Sequence, residues 1–70
     1  MATATRPRLY DEVRLLIELH DDEVGRVPAG TRGRIVGIGT DGYDIELFDD
    51  EGETIDVLPV ERRAVALAGR

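Results

Sequence analysis

The stretch Pro28-Ala29-Gly30-Thr31-Arg32-Gly33-Arg34-Ile35-Val36, continuing through Asp41-Gly42 into Tyr43-Asp44-Ile45-Glu46-Leu47-Phe48, constrains the fold more than any other part of this 70-residue chain. A proline and two closely spaced glycines set an entry turn, because Gly30 and Gly33 suit bends where a side chain would obstruct. A strand follows over residues 32–39. Asp41-Gly42 then predicts a two-residue hairpin turn, since both residue types tolerate positive φ. Residues 43–48 alternate apolar and polar side chains as a half-buried strand must, with Tyr43, Ile45 and Leu47 inward and Asp44, Glu46 and Phe48 outward. A lone hairpin is marginal in water, so the rest of the chain has to complete its sheet.

The flanks are read with that requirement in mind. Residues 1–8 form a weakly tethered lead-in with nothing to bury. In residues 10–19, Val13, Leu15 and Ile17 share one face and Glu12, Arg14, Leu16 and Glu18 the other, which is a strand pattern apart from Leu16. A helix competes for this segment, with Asp11 as its cap and Val13, Leu16 and Ile17 at helical spacing. The strand-like character of everything downstream favours the strand. Residues 20–27 read as a polar connection. Gly33 and Gly37 thin one face of the strand at 32–39, which asks for a close-packed neighbour or a sharp bend. Asp49-Asp50-Glu51-Gly52 predicts a longer hairpin turn with Gly52 in the left-handed conformation. Residues 53–58 form the next strand, with Ile55 and Val57 inward and Thr54 and Asp56 outward, stopped by Pro59. Residues 60–63 fit one helical turn, and 64–67 a closing strand with Val65 and Leu67 inward. The expectation is an all-β fold: a small five-stranded antiparallel barrel over residues 9–68, one short helical turn before the last strand, and a tail at 69–70. Closure of the barrel would leave no long bare edge.

Charge and composition narrow the function classes. A domain this small hides only about 60% of its unfolded chain's surface, so a partner or a second copy would add stability. The formal net charge is −6, which disfavours phosphate backbones and anionic membranes, because both are held chiefly by Lys and Arg. Asp41, Asp44, Glu46, Asp49, Asp50, Glu51, Glu53 and Asp56 fall within sixteen residues that carry no base, and they make an acidic pole. The chain has no Cys, Ser, Asn, Gln, Lys or Trp, and its nine basic residues are all Arg. Without cysteine there is no disulfide, thiolate nucleophile or thiolate metal site. The first eight residues carry no apolar signal core, and no run approaches the roughly 18 apolar residues of a membrane span. A cytoplasmic protein is expected.

No catalytic, cofactor-binding or metal-binding residue stands out. His20 is the sole histidine; a general base needs a nucleophile or an orienting partner, and a solvent-facing position is the simpler reading. Residues 49–53 superficially match a calcium loop but lack the alternating ligands and the distant bidentate Glu. Asp44 and Glu46 lie two apart on one strand face with Asp56 opposite, and read as solubilising charge. Arg32 and Arg34 share a face and are expected to pair with acids across the strand at 43–48. The apolar excess is more informative. Leu16, Val36, Ile38 and Phe48 fall on faces that alternation assigns to solvent, so either the strand at 32–39 is buried on both sides or these residues form a binding patch. Rimmed by Asp44, Glu46, Asp49 and Asp50, such a patch suits a protein partner.

Leu9-Tyr10-Asp11 before an apolar strand, then Pro28-x-Gly30-Thr31-x-Gly33-x-Ile35-Val36, Tyr43-x-Ile45-x-Leu47-Phe48-Asp49 and Gly52-x-Thr54, resemble small bacterial proteins grouped as domain of unknown function 4926. The likeness spans residues 9–67. It implies an SH3-like barrel of unassigned biochemistry, in a family whose genes look like companions of toxin-type or mobile-element genes. The longer lead-in and the Ala-rich end depart from the family's usual look. A looser likeness, carried by Gly30, Gly33 and Ile35, is to the core of translation-associated RNA-binding barrels; those bring basic loops and aromatic platforms, whereas Tyr43 and Phe48 here sit beside the acidic pole. The resulting expectation is a non-enzymatic protein-interaction module, in its most specific form an antitoxin or immunity-type partner of a basic protein. The alternatives are a structural or oligomerisation domain of an enzyme assembly and, less in keeping with the charge, an RNA-binding barrel.

Overall fold

A computed structural model describes residues 6–68; most of the expected lead-in (residues 1–5) and the expected tail at 69–70 lie outside the described residues. The chain is all-β. Its strands are β1 (Glu12–Leu15), β2 (Leu19–Asp21), β3 (Gly25–Val27), β4 (Arg32–Ile38), β5 (Gly42–Phe48), β6 (Thr54–Glu61) and β7 (Val65–Leu67), with a short 3-10 helix, Arg62–Ala64, before the last. Five of them form one antiparallel sheet in the order β6-β5-β4-β1-β7, and β2 and β3 form a separate two-stranded sheet. β6 and β7 are the two edges, and no pairing joins them, so the closed barrel expected from sequence is instead an open sheet. Among the described residues no helix is long and apolar enough to cross a membrane.

The core is built by alternation. Val13 and Leu15 of β1, Ile35 of β4, Tyr43, Ile45 and Leu47 of β5, Leu58 and Val60 of β6, and Val65 of β7 are buried on one side of the sheet, joined by Val27 and Ala64. Gly33 shows why a glycine stands in β4. It lies opposite Leu47, and a Cβ there would come within 2.6 Å of Ile45 Cγ2 and 2.7 Å of the Glu46 carbonyl oxygen. The close-packed neighbour expected at this position is therefore β5 itself. Gly33→Ala is expected to cost about 1–3 kcal/mol through overpacking, read as a lower urea midpoint.

Four local expectations are corrected. The first strand is short: it ends at Leu15, where the Leu16 amide donates to the Ala64 carbonyl and the Gly30 amide to the Leu15 carbonyl. Ile17 is consequently exposed rather than inward. The polar connection at 20–27 is a miniature hairpin. Leu19 pairs with Val27 and Asp21 with Gly25, and the Asp21 carboxylate accepts the Glu23 and Val24 amides to close the turn.

The Asp41-Gly42 turn is displaced as well. Ile38 stands opposite Tyr43, the Gly39 amide donates to the Gly42 carbonyl, and Gly42 opens β5 without positive φ, whereas Gly30 (φ 91°) and Gly52 (φ 83°) do adopt it. Gly42 is needed for proximity, since a Cβ would collide with the Val60 carbonyl oxygen. Arg62 braces this turn by donating to the Thr40 carbonyl at 2.8 Å.

Pro59 does not stop β6, which runs on to Glu61. A proline is tolerated because β6 is an edge that needs no donor on its free side. A register shift at Leu47/Phe48 reverses the assignment of its side chains, so Leu58 and Val60 face the core, Val57 is exposed and Ile55 is only partly buried. The edge is also blunted: the Val57 amide donates to the carboxylate of Asp56 at 2.7 Å, and Pro59 has no amide proton to offer.

Candidate functional site

Phe48 is the last residue of β5 and half-buried, and two shallow depressions flank it. One, about 540 Å³, is lined by Pro28, Gly30, Thr31, Arg32, Phe48, Asp49, Asp50 and Ile55. The other, about 400 Å³, is lined by Glu12, Arg32, Arg34, Phe48, Asp49, Asp50 and Gly52. The cover that an outward Phe48 requires comes from Arg34, whose guanidinium carbon lies 5.8 Å from the ring centroid, within range of a cation–π contact. Arg32 pairs with Glu12 of β1 at 3.2 Å rather than with an acid of β5. Both arginines thus depart from the cross-strand pairing expected of them.

Asp44 and Glu46 continue the outward row of Phe48 along β5, and Glu46 accepts a hydrogen bond from the Thr54 hydroxyl at 2.7 Å. The acid trio expected there does not form, because Asp56 stands opposite Leu47 and its carboxylate is turned to the Val57 amide. Asp49 has a structural role. Its carboxylate accepts the Glu51 and Glu53 amides, each at 2.9 Å, and its own amide donates to the Glu53 carbonyl. Asp50 is exposed beside it. Asp49→Ala is expected to cost about 1–2 kcal/mol by leaving the turn amides without their acceptor, and Asp50→Ala to fall within about 0.5 kcal/mol; thermal melts of the two variants compare them directly.

The structure brings Phe48, Asp49 and Asp50 together around the two depressions, keeps Glu46 next to Phe48 on the outward row, and leaves Asp44, opposite Gly37, toward the other end of the sheet with the three apolar residues dispersed. Val36 and Ile38 are exposed at 36% and 55%, so β4 is not covered on both sides. Ile38 stands at the far end of β4, opposite Tyr43, and Leu16 lies beyond the β1 residues that pair near Arg32. At ~3.3 Å per residue, these two are separated by roughly 20 Å along the sheet. Leu16 is adjacent to exposed Ile17, and neither lines the Phe48 depressions. Sequence reasoning missed Arg32 and Arg34 as walls of the site, although the matched outward parity of Arg34 and Phe48 on neighbouring strands was available as a signal. Exposed Leu9 and Tyr10 were also missed. Tyr10 is held at φ 72° by a turn in which the Arg8 amide donates to the Asp11 carboxylate.

His20 is on β2, largely exposed, with Nε2 2.7 Å from the Glu18 carboxylate. The Arg26 hydrogen bond, followed by the charges of Arg26 and His20, holds the Glu18 carboxyl below its ordinary range. Its small contribution to stability is therefore present above that range and lost as pH falls through the lowered value. Among the described residues no group of three or more His, Asp or Glu is placed to hold a metal ion.

A family model described as Domain of unknown function (DUF4926) matches residues 9–66. No curated protein and no solved structure matches the chain.

Proposed function

We propose that this chain, which belongs to the family of domain of unknown function 4926, is a non-enzymatic protein-interaction module that docks a basic protein through Phe48 and the acids beside it. The observation that carries this reading is the placement of a half-buried aromatic ring at the end of the outward row Asp44–Glu46–Phe48, next to exposed Asp50 and between two shallow depressions. An apolar anchor with a charged rim is how small docking surfaces combine affinity with steering. In its most specific form the module is a bacterial, cytoplasmic antitoxin or immunity-type partner that masks a basic protein.

We further propose an SH3-like architecture, in keeping with the element order of a first strand, a hairpin excursion (β2–β3), a three-stranded meander (β4–β6), a 3-10 turn and a last strand returning beside the first. The test is affinity capture from native lysate at low and moderate salt. The reading expects one basic protein enriched by the wild type, weakened by salt and lost with Phe48→Ala. Capture indifferent to salt, or unchanged by Phe48→Ala, would refute it.

A further inference from the structure

The outer face of the five-stranded sheet is divided by charge. On one side β1 and β4 present Arg14, Arg32 and Arg34 with Glu12; on the other β5 and β6 present Asp44, Glu46 and Glu61 with exposed Val57 beside Glu46. The boundary runs between β4 and β5, where Arg34 and Glu46 stand directly opposite each other in register. They nevertheless do not pair. The ion pairs among the described residues are Glu18–His20, Glu18–Arg26 and Glu12–Arg32, while Arg34 lies over Phe48 and Glu46 accepts from Thr54. Two opposite charges at the centre of the face thus have no charged partner among the described residues.

We propose that this face pairs with a second copy of the chain, about a two-fold axis lying between β4 and β5 and parallel to the strands. That operation keeps each residue's height along the strands, so Arg34 meets Glu46 of the second copy, and the contact occurs twice by symmetry, with Glu12 set against exposed Val57 beside it. An in-plane axis across the strands would set arginine on arginine. Strand addition does not compete at the long edge, because Asp56 and Pro59 blunt β6. Four strands overlap, about 19 Å across at ~4.8 Å spacing, which places the pair among small, reversible interfaces. Its dependence on exposed charges makes it sensitive to salt. Self-pairing needs no other protein, but it covers the Asp44–Glu46–Phe48 row, so a second copy and a basic partner would compete for this face.

Sedimentation equilibrium of the full chain tests it. The wild type is expected to rise from monomer mass toward dimer mass with concentration at low salt, with the dissociation constant increasing about tenfold at high salt. Arg34→Glu and Glu46→Arg should each stay monomeric, because each sets like charges against each other twice. Their equimolar mixture should form a heterodimer, and the double variant R34E/E46R, which keeps opposite charges across β4 and β5, should regain self-pairing. A wild type that is monomeric at every concentration, single variants that dimerise like the wild type, or a folded double variant that stays monomeric would each overturn the proposal.

Discussion

Ile45→Ala is expected to lower the unfolding free energy by about 2–5 kcal/mol, a large share of what a small domain has in total. Ile45 is fully buried, and it stands opposite Ile35 on one neighbouring strand and Leu58 on the other. Truncation therefore removes contacts in three strands at once and leaves a void between packed β-branched and leucine side chains. Ile38→Ala is the control, because Ile38 is 55% exposed and its loss should fall within about 0.5 kcal/mol. Urea denaturation of the two variants, with midpoints compared at unchanged slope, gives the difference. Equal losses would mean that the core does not lie where the alternation of β4 and β5 places it.

The second large effect concerns capture. Asp50→Lys is expected to slow association with a basic partner by about tenfold at low salt, because rim charges act mainly on the encounter rate. The difference should shrink as ionic strength rises. Asp50 is the informative position. Reversing Asp49 would also break the two amide contacts that close the β5–β6 turn, and so would confuse a lost site with a lost turn. Association rates measured by surface plasmon resonance against the captured partner, at low and raised salt, separate the steering contribution from the contribution of Phe48, which should appear in dissociation.

Much of this molecule was legible in its sequence because β4, β5 and the turn between β5 and β6 are written in period-two alternation and in glycines with single roles. Gly52 takes the left-handed turn position expected of it, and Gly33 admits the close neighbour it implied. The failures have physical causes too. β2 and β3 are three residues each, too short for alternation to register, and their turn is closed by the Asp21 side chain rather than by a glycine pair. Pro59 halts a central strand but not an edge one, and whether β6 is an edge depends on sheet order, which no local pattern reports. The register shift at Leu47/Phe48 then exchanges Val57 for Leu58 in the core.

The candidate site was half legible for the same reason. Residues on one strand, Asp44, Glu46 and Phe48, keep their relation through simple parity. Val36 and Ile38 share β4, where the register shift between Ile35 and Gly37 breaks the alternation, and Leu16 lies just beyond the end of β1. The covering of Phe48 by Arg34 depends on side-chain direction across strands, which parity allows but does not choose.

The most direct test of the docking face is capture from native lysate by four forms side by side at low and moderate salt: wild type, Arg34→Glu, Asp50→Lys and Phe48→Ala. Arg34→Glu adds acid to the face and uncovers the ring, so it should retain the same basic protein as the wild type, with salt weakening both. Asp50→Lys and Phe48→Ala should lose it. The same proteins returned by all four forms, or a capture that salt leaves unchanged, would contradict a basic partner held at Phe48 and its acidic rim.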